Sequence, residues 1–362
     1  GLMQTKSKST TISFKGQNIY VGIDVHLKSW KVTIIVNDME HKTFSQDSNA
    51  KILSNYLRKN FPEAKYFSAH EAGFCGFSVH RDLERYGIHN IVVNPSDIPT
   101  TDKEKRQKED KRDSRKIAKS LKNGELTAIY VPTKEMEELR ALVRYRKALV
   151  KDITRNKTRI KSFLFVNGIE IPPELDGASS YWSGKFTNWL KEIRFLTMHN
   201  QLVLDGTLET VTFLRQKLLE ITRYFITLTK ESEYAFKLKL LKSIPGIGLV
   251  SALTILTETE DVLRFKNLDR LCSYVGLVPT TNSSGENEKV GRITGRSNRF
   301  LREILIEASW AAVRKDPSLM YSYGLLCQRM KPNEAIVRIA KKLLNRIRYV
   351  MKNETEYVLS VI

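Results

Sequence analysis

The stretch Asn18–Asp38, NIYVGIDVHLKSWKVTIIVND, decides the fold. Two runs rich in Val, Ile and aromatic residues flank His26–Lys28, the pattern of adjacent strands joined by a short turn. Asp24 sits inside the first run, where a lone carboxylate costs on the order of several kcal/mol to bury unless it is paired or holds a metal. The plain alternative is an Asp satisfied by backbone amides at a strand end. Reading outward, His41–Ser45 offers a third strand, and Ala50–Phe61 places Ile52, Leu53, Tyr56 and Leu57 at helical spacing. Lys65–Ala69 returns to strand before a turn at Gly73 and Gly76, Phe77–Tyr86 reads as helix, and Asn90–Val93 as a strand closed by Asn94-Pro95. This order predicts an α/β domain with a mixed sheet over residues 1–130, and ligands of such sheets gather at strand ends.

Past Pro132 the β signal stops. Thr133–Val166 and Leu208–Leu240 carry apolar residues spaced by threes, fours and sevens, which predicts two long antiparallel helices in a coiled coil. The region 131–240 is therefore expected to self-associate, as a homodimer or homotetramer, with an irregular insertion at 167–206. Residues 241–362 read as a mainly helical domain interrupted by a polar loop at Pro279–Gly295.

Sixty Lys and Arg against 40 Asp and Glu leave a charge of +20 over 362 residues, which favours a polyanionic partner, nucleic acid before an anionic membrane. No run approaches a membrane span, and Gly1–Phe14 is polar without a signal-peptide core, so an intracellular, cytoplasmic protein with no membrane partner is expected. Cys75, Cys272 and Cys327 are far apart and odd in number, which supports neither a disulfide framework nor a zinc ribbon.

Further acids join Asp24. Glu71 closes the strand that starts at Lys65, and Asp110 and Asp113, three apart in KEDKRDSRKIAKSLK, share a face near a helix start. Four carboxylates converging from two strand ends and one helix would hold one or two Mg²⁺, which takes oxygen ligands and positions a nucleophile at a phosphodiester. Lys111, Arg112 and Arg115 beside them would bring in a phosphate backbone. In SIPGIGLVSA, Gly246 and Gly248 form a turn between helices whose amides can accept a phosphate; the pattern resembles a helix-hairpin-helix. Downstream, Ser283-Ser284-Gly285 precedes Arg292, Arg296, Arg299 and Arg302, so a serine hydroxyl could face a phosphorus clamped by arginines. A serine nucleophile needs help to lose its proton, and all six histidines precede residue 200; the acid cluster could supply that activation where the domains, or two protomers, meet.

Taken together, YVGIDVHLKSW, HEAGFCGF, KEDKRDSRKIAKSL, IPGIG and GLVP…SSG…GRITGRSNRFLR, in this order from Tyr20 to Arg302, resemble the DEDD transposases of bridge-RNA-guided insertion sequences. These form the "one-ten" family with its "eleven-eleven" subgroup, related to Piv-type DNA invertases. The resemblance implies a RuvC-like, RNase H-fold domain whose acid tetrad falls on Asp24, Glu71, Asp110 and Asp113 with Mg²⁺. It also implies a coiled-coil region, and a transposase domain whose nucleophilic serine matches Ser284, with Ser283 a close second. The implied partners are double-stranded donor and target DNA and a structured noncoding guide RNA, with the acids of one protomer and the serine of another forming a composite site. The sequence departs from the family pattern in reading KEDKRDS where KTDRRDA is usual, and ITGRSN where ITKxGN is usual, with Gly295 standing in the place of a lysine that would contact phosphate. A RuvC-like metal-dependent nuclease using water as nucleophile is the alternative chemistry.

Overall fold

Strand β1 (Asn18–Val25) is the middle of a five-stranded sheet whose other members are β2 (Ser29–Val36), β3 (Met39–Asp47), β4 (Lys65–Glu71) and β5 (His89–Val93). The order is β3-β2-β1-β4-β5, with β1, β2 and β3 antiparallel and β1, β4 and β5 parallel. The computed structural model describes residues 12–99, 110–283, 288–293 and 297–359, with the backbone alone at 110–113, 279–283 and 288–293. The chain divides into two compact units, Gly1–Val131 and Pro132–Ile362.

In the first unit, alternation along the strands builds two different faces. Ile19, Val21 and Ile23 of β1 join Trp30, Val32 and Ile34 of β2 against Leu53 and Leu57 of α1 (Ala50–Asn60) and Leu83 of α2 (Ser78–Arg85). Each fully buried Ile or Leu there contributes roughly 1.5–3 kcal/mol. The loop Asn49 starts α1 by accepting from the Lys51 amide at 2.8 Å. The opposite face is covered by α3 (Asp110–Lys122), whose Ile117 packs with Ala69 and Val93.

Gly22 explains how closely α3 approaches. A Cβ at this position would lie 2.0 Å from the Ser114 carbonyl oxygen and 2.5 Å from the Ala118 amide nitrogen, so only glycine admits the helix backbone. A buried hydrogen bond of 2.9 Å between Thr33 Oγ1 and Ser114 Oγ fixes the same contact on β2.

The second unit is almost entirely helical. The long helices α4 (Lys134–Val166) and α6 (Met198–Glu231) run antiparallel: Arg146 Nε donates to Thr222 Oγ1 at 3.3 Å, and Asn200 Nδ2 to Asn167 Oδ1 at 2.6 Å. At one end they enclose Ile160, Leu164, Leu204 and Leu208 with Phe186 of α5 (Gly184–Glu192). At the other, Met136, Leu139, Val143, Phe225 and Leu228 merge into the core of α7 (Ala235–Lys242), α8 (Leu249–Thr259), α9 (Leu268–Val275), α10 (Arg299–Lys315), α11 (Pro317–Cys327) and α12 (Pro332–Asn353).

Two boundaries differ from the sequence reading. Helix α6 begins ten residues before Leu208, because buried Leu204 extends its apolar stripe across exposed Gly206, and packing outweighs the poor helix propensity of glycine. It stops at Glu231, where Ser232 turns extended and its hydroxyl accepts the Tyr234 amide, so Ala235–Lys242 is a separate helix. The stretch read as a polar loop contains an antiparallel hairpin, β6 (Pro279–Ser283) with β7 (Glu288–Ile293), in which Thr281 faces Val290 and Ser283 faces Glu288. Among the described residues, no helix is long and apolar enough to cross a membrane.

Candidate active site

The parallel register of β1 and β4 pairs Gly22 with Ala69 and Ile23 with His70. The next rung brings Asp24 beside Glu71, and alternation places both on the face that carries α3. Both are half-buried at the carboxyl ends of their strands. The direction of α3 follows from its contacts: Lys122, near its end, pairs with Asp38 in the β2–β3 turn, next to the start of β1, where Ile19 faces Val36. The helix N-terminus therefore points toward Asp24. From Ser114, level with Gly22, four residues of helix span about 6 Å. Two residues of strand from Gly22 to Asp24 span about 6.6 Å. The backbone turn that bears Asp110 and Asp113 thus begins over the strand ends where Asp24 and Glu71 lie.

The structure adds a residue that sequence reading assigned only to the turn. His26 Nε2 lies 3.0 Å from Asp24 Oδ2, and with the carboxylate ionised the ring nitrogen is the donor. The spacing Asp-x-His across a strand end was the available signal. On the reverse face, Asn90 joins His70, His80 and Ser68: its Nδ2 approaches His80 Nδ1 at 2.9 Å, and Ser68 Oγ donates to its Oδ1 at 2.7 Å. Burial pushes His70 down to about 4, so this ring is neutral near pH 7 and stiffens the strand that ends in Glu71.

A hard divalent cation fits the chemistry of Asp24 and Glu71, since two adjacent carboxylates offer oxygen donors only. Among the described residues, no group of three or more His, Cys, Asp or Glu gathers into a metal cluster; the side chains at 110 and 113 lie outside the description. Lys111 and Arg112 enter through their backbone alone. Arg115 is directed to the sheet edge, where its Nε donates to Glu40 Oε1 at 3.0 Å.

In the second unit, Gly246 (φ +88°) lies against α10, and a Cβ there would meet the Ala308 carbonyl oxygen at 2.2 Å, so helix packing accounts for this glycine. Gly248 is exposed and precedes the first residue of α8. Ser283 ends β6, and Ser284 and Arg296 lie outside the described residues. Arg292 is on β7, and Arg299 is exposed in the first turn of α10. Arg302 is half-buried and ties the two roots of the hairpin together: its Nη1 donates to Ser297 Oγ at 3.2 Å and reaches the Gly276 carbonyl at 3.5 Å. Gly276 (φ +84°) has no room for a side chain, because a Cβ would fall 2.3 Å from Ser297 Cβ.

Two family models match the chain, the first running from the sheet through the end of α4. The IS110 DEDD family model, described as "Transposase", matches residues 21–166, and the model "Transposase IS116/IS110/IS902 family" matches residues 238–324. The chain is 32% identical over 248 residues to "Putative transposase y4qE" of Sinorhizobium fredii, covering 68% of this chain and 58% of that protein. The similarly named y4rJ of the same organism is 27% identical, with 90% of each chain covered. "Transposase for insertion sequence element IS1111A" of Coxiella burnetii is 26% identical over 74% of this chain and 73% of its own length.

Proposed function

Since the chain belongs to the IS110 family of insertion-sequence transposases, we propose that it cuts and rejoins DNA strands by transesterification. The observation that carries this reading is that Asp24 and Glu71 each follow the last paired rung, Ile23 with His70, at adjacent parallel strand ends on the face that carries α3. In this proposal Asp24, Glu71, Asp110 and Asp113 hold Mg²⁺, and Ser284, or Ser283 in its place, is the nucleophile. The ion, when bound, lowers the charge on the phosphodiester and eases ionisation of a hydroxyl. The serine Oγ–P bond forms as a P–O bond to a sugar oxygen breaks. The serine proton is lost, and the departing sugar oxygen takes up a proton. Rejoining reverses the step on a second strand, so bond energy is kept in the phosphoserine link.

His26 holds the Asp24 carboxylate in place, and the neutral, buried Asn90–His70 network keeps the β4 end rigid behind Glu71. Arg292, Arg296 and Arg299 provide phosphate contacts around the serine, and Lys111, Arg112 and the Gly248 amide add sequence-independent grip. The charge of +20 suits two nucleic-acid partners, double-stranded DNA and an element-encoded bridge RNA that selects donor and target. Exposed Phe213, Leu219, Tyr224 and Ile226 on α6 suit self-association of the long helices, which would let the acids of one protomer serve the serine of another.

The test is a denaturing-gel search for a protein–DNA covalent adduct with donor and target DNA, cognate RNA and Mg²⁺. Wild type should form the adduct, and one of Ser284→Ala and Ser283→Ala should abolish it. Cleavage without an adduct, undiminished in both variants, would show that water is the nucleophile.

A further inference from the structure

Glu258 is the fully buried carboxylate at the end of α8, in a helix whose residues Ala252–Thr259 are all buried. It receives three donors. Arg144 of α4 grips it with Nε at 2.7 Å and Nη2 at 2.8 Å, and Asn298 Nδ2 reaches Oε2 at 2.8 Å. The second hydrogen of that amide faces Tyr274 Oη at 3.3 Å, and the Tyr274 hydroxyl donates to the Glu258 carbonyl at 2.7 Å. Asn298 Oδ1 accepts the Leu301 amide at 3.0 Å and so caps α10, while its own backbone amide donates to the Tyr274 carbonyl at 3.0 Å. Every polar group of Asn298 is thus committed, at the residue where the β6–β7 hairpin rejoins the helical core.

The residue type discriminates between a plain cap and something more. Ser and Asp cap helices about as well as Asn, but an ionised Asp has no donor, and the single Ser oxygen, held at the cap, ends an atom short of where the Asn298 amide nitrogen meets Glu258. The asparagine is needed here because Glu258 is here. Next to it, Arg302 binds Ser297 to Gly276, and Lys147 of α4 pairs with Glu303 and lies 4.4 Å from the centre of the Phe300 ring. Both roots of the hairpin are therefore held on α8, α9 and α10, and the joint is tied to α4 through an ion pair.

We propose that Glu258, Arg144 and Asn298 are positioning residues: their joint fixes the β6–β7 hairpin and thereby sets where its serine stands relative to bound DNA. This rests on the hairpin carrying the nucleophile. A displacement of about 1 Å at a reacting group costs on the order of 100-fold in rate. Losing the Asn298 bridge should therefore act on rate and leave affinity alone.

Asn298→Ser keeps a good cap and removes the bridge, whereas Glu258→Ala opens a cavity in a fully buried helix segment and endangers folding. In full-length protein with DNA, cognate RNA and Mg²⁺, Asn298→Ser should lower the maximal adduct-forming rate roughly 100-fold, with the half-saturating DNA concentration within about twofold. Hydrogen exchange of backbone amides at 279–293 should quicken about tenfold, the factor of one lost charge-assisted bond, while α12 is unchanged. Unaltered exchange overturns the proposal, as does faster exchange with an adduct rate within about threefold of wild type. A wild-type chain that cuts DNA with no adduct removes the serine reading instead. The joint then stands if Asn298→Ser still loosens the hairpin, and falls if it does not.

Discussion

Replacing Gly22 with alanine tests the assembly of the acid site without touching an acid. The added methyl would start 2.0 Å from the Ser114 carbonyl oxygen and 2.5 Å from the Ala118 nitrogen, and real Cβ contacts essentially never fall under 3.0 Å. Both obstacles are backbone, so no side chain can rotate away and α3 must retreat by at least 1 Å, the difference between 3.0 and 2.0 Å. Overpacking of this kind costs about 1–3 kcal/mol. The buried Thr33–Ser114 hydrogen bond, stretched by the same movement, adds about 1 kcal/mol. At roughly 4 °C per kcal/mol for a unit of this size, melting of the first unit should fall by about 10 °C. Asp110 and Asp113 ride on the displaced turn while Asp24 and Glu71 stay on the sheet. Single-turnover cleavage should therefore drop on the order of 100-fold at a temperature where the variant is still folded. Calorimetry and a quenched cleavage assay measure the two effects. A melting temperature and a rate both equal to wild type would refute the packing argument. Lower stability with full activity would show that the turn bearing Asp110 and Asp113 does not serve the Asp24 site.

Three further outcomes are expected. Asp24→Asn and Glu71→Gln should each abolish cleavage and leave DNA affinity intact by gel shift; retained cleavage in either would remove that residue from the metal site. Alanine at Arg292, Arg296 or Arg299 should each reduce the slope of log affinity against log salt by about 0.9, and an unchanged slope would mean no phosphate contact there. The folded-state pKa of His70 lies below its ordinary value, at about 4, so the unfolded chain binds the extra proton below pH 6.5. That contribution is complete above pH 6.5 and is lost as pH falls to about 4, roughly 3 kcal/mol in all. Denaturant midpoints of wild type should fall over that window and those of His70→Gln should fall less; parallel curves would contradict the assignment.

Much of the first unit was legible because its signals are local. Asp24 stands out as a charge in an apolar strand, and the strand and helix order up to Lys122 follows from periods of two and 3.6. Gly22 could also have been read, since a glycine inside a strand signals close backbone approach. The rest was hidden for physical reasons. The placement of Asp24 beside Glu71 depends on a parallel register set by tertiary packing. The hairpin at 279–293 is short, and its polar turn resembles a loop in composition. Arg144, Glu258 and Asn298 are separated by more than a hundred residues and by forty, and no local pattern links them, although a Glu inside the apolar run ALTILTET was a visible anomaly.

Helix α4 has 33 residues and a length of about 50 Å, with one end built into the Phe186 cluster and the other into the Arg144–Glu258 joint. Such a rod carries torque as well as load. A rotation imposed where α4 meets α5 and α6 arrives at the hairpin root undiminished only while the intervening turns stay continuous. A single proline near Val150 would leave both ends folded and break that transmission, separating the mechanical role of the helix from its role in packing.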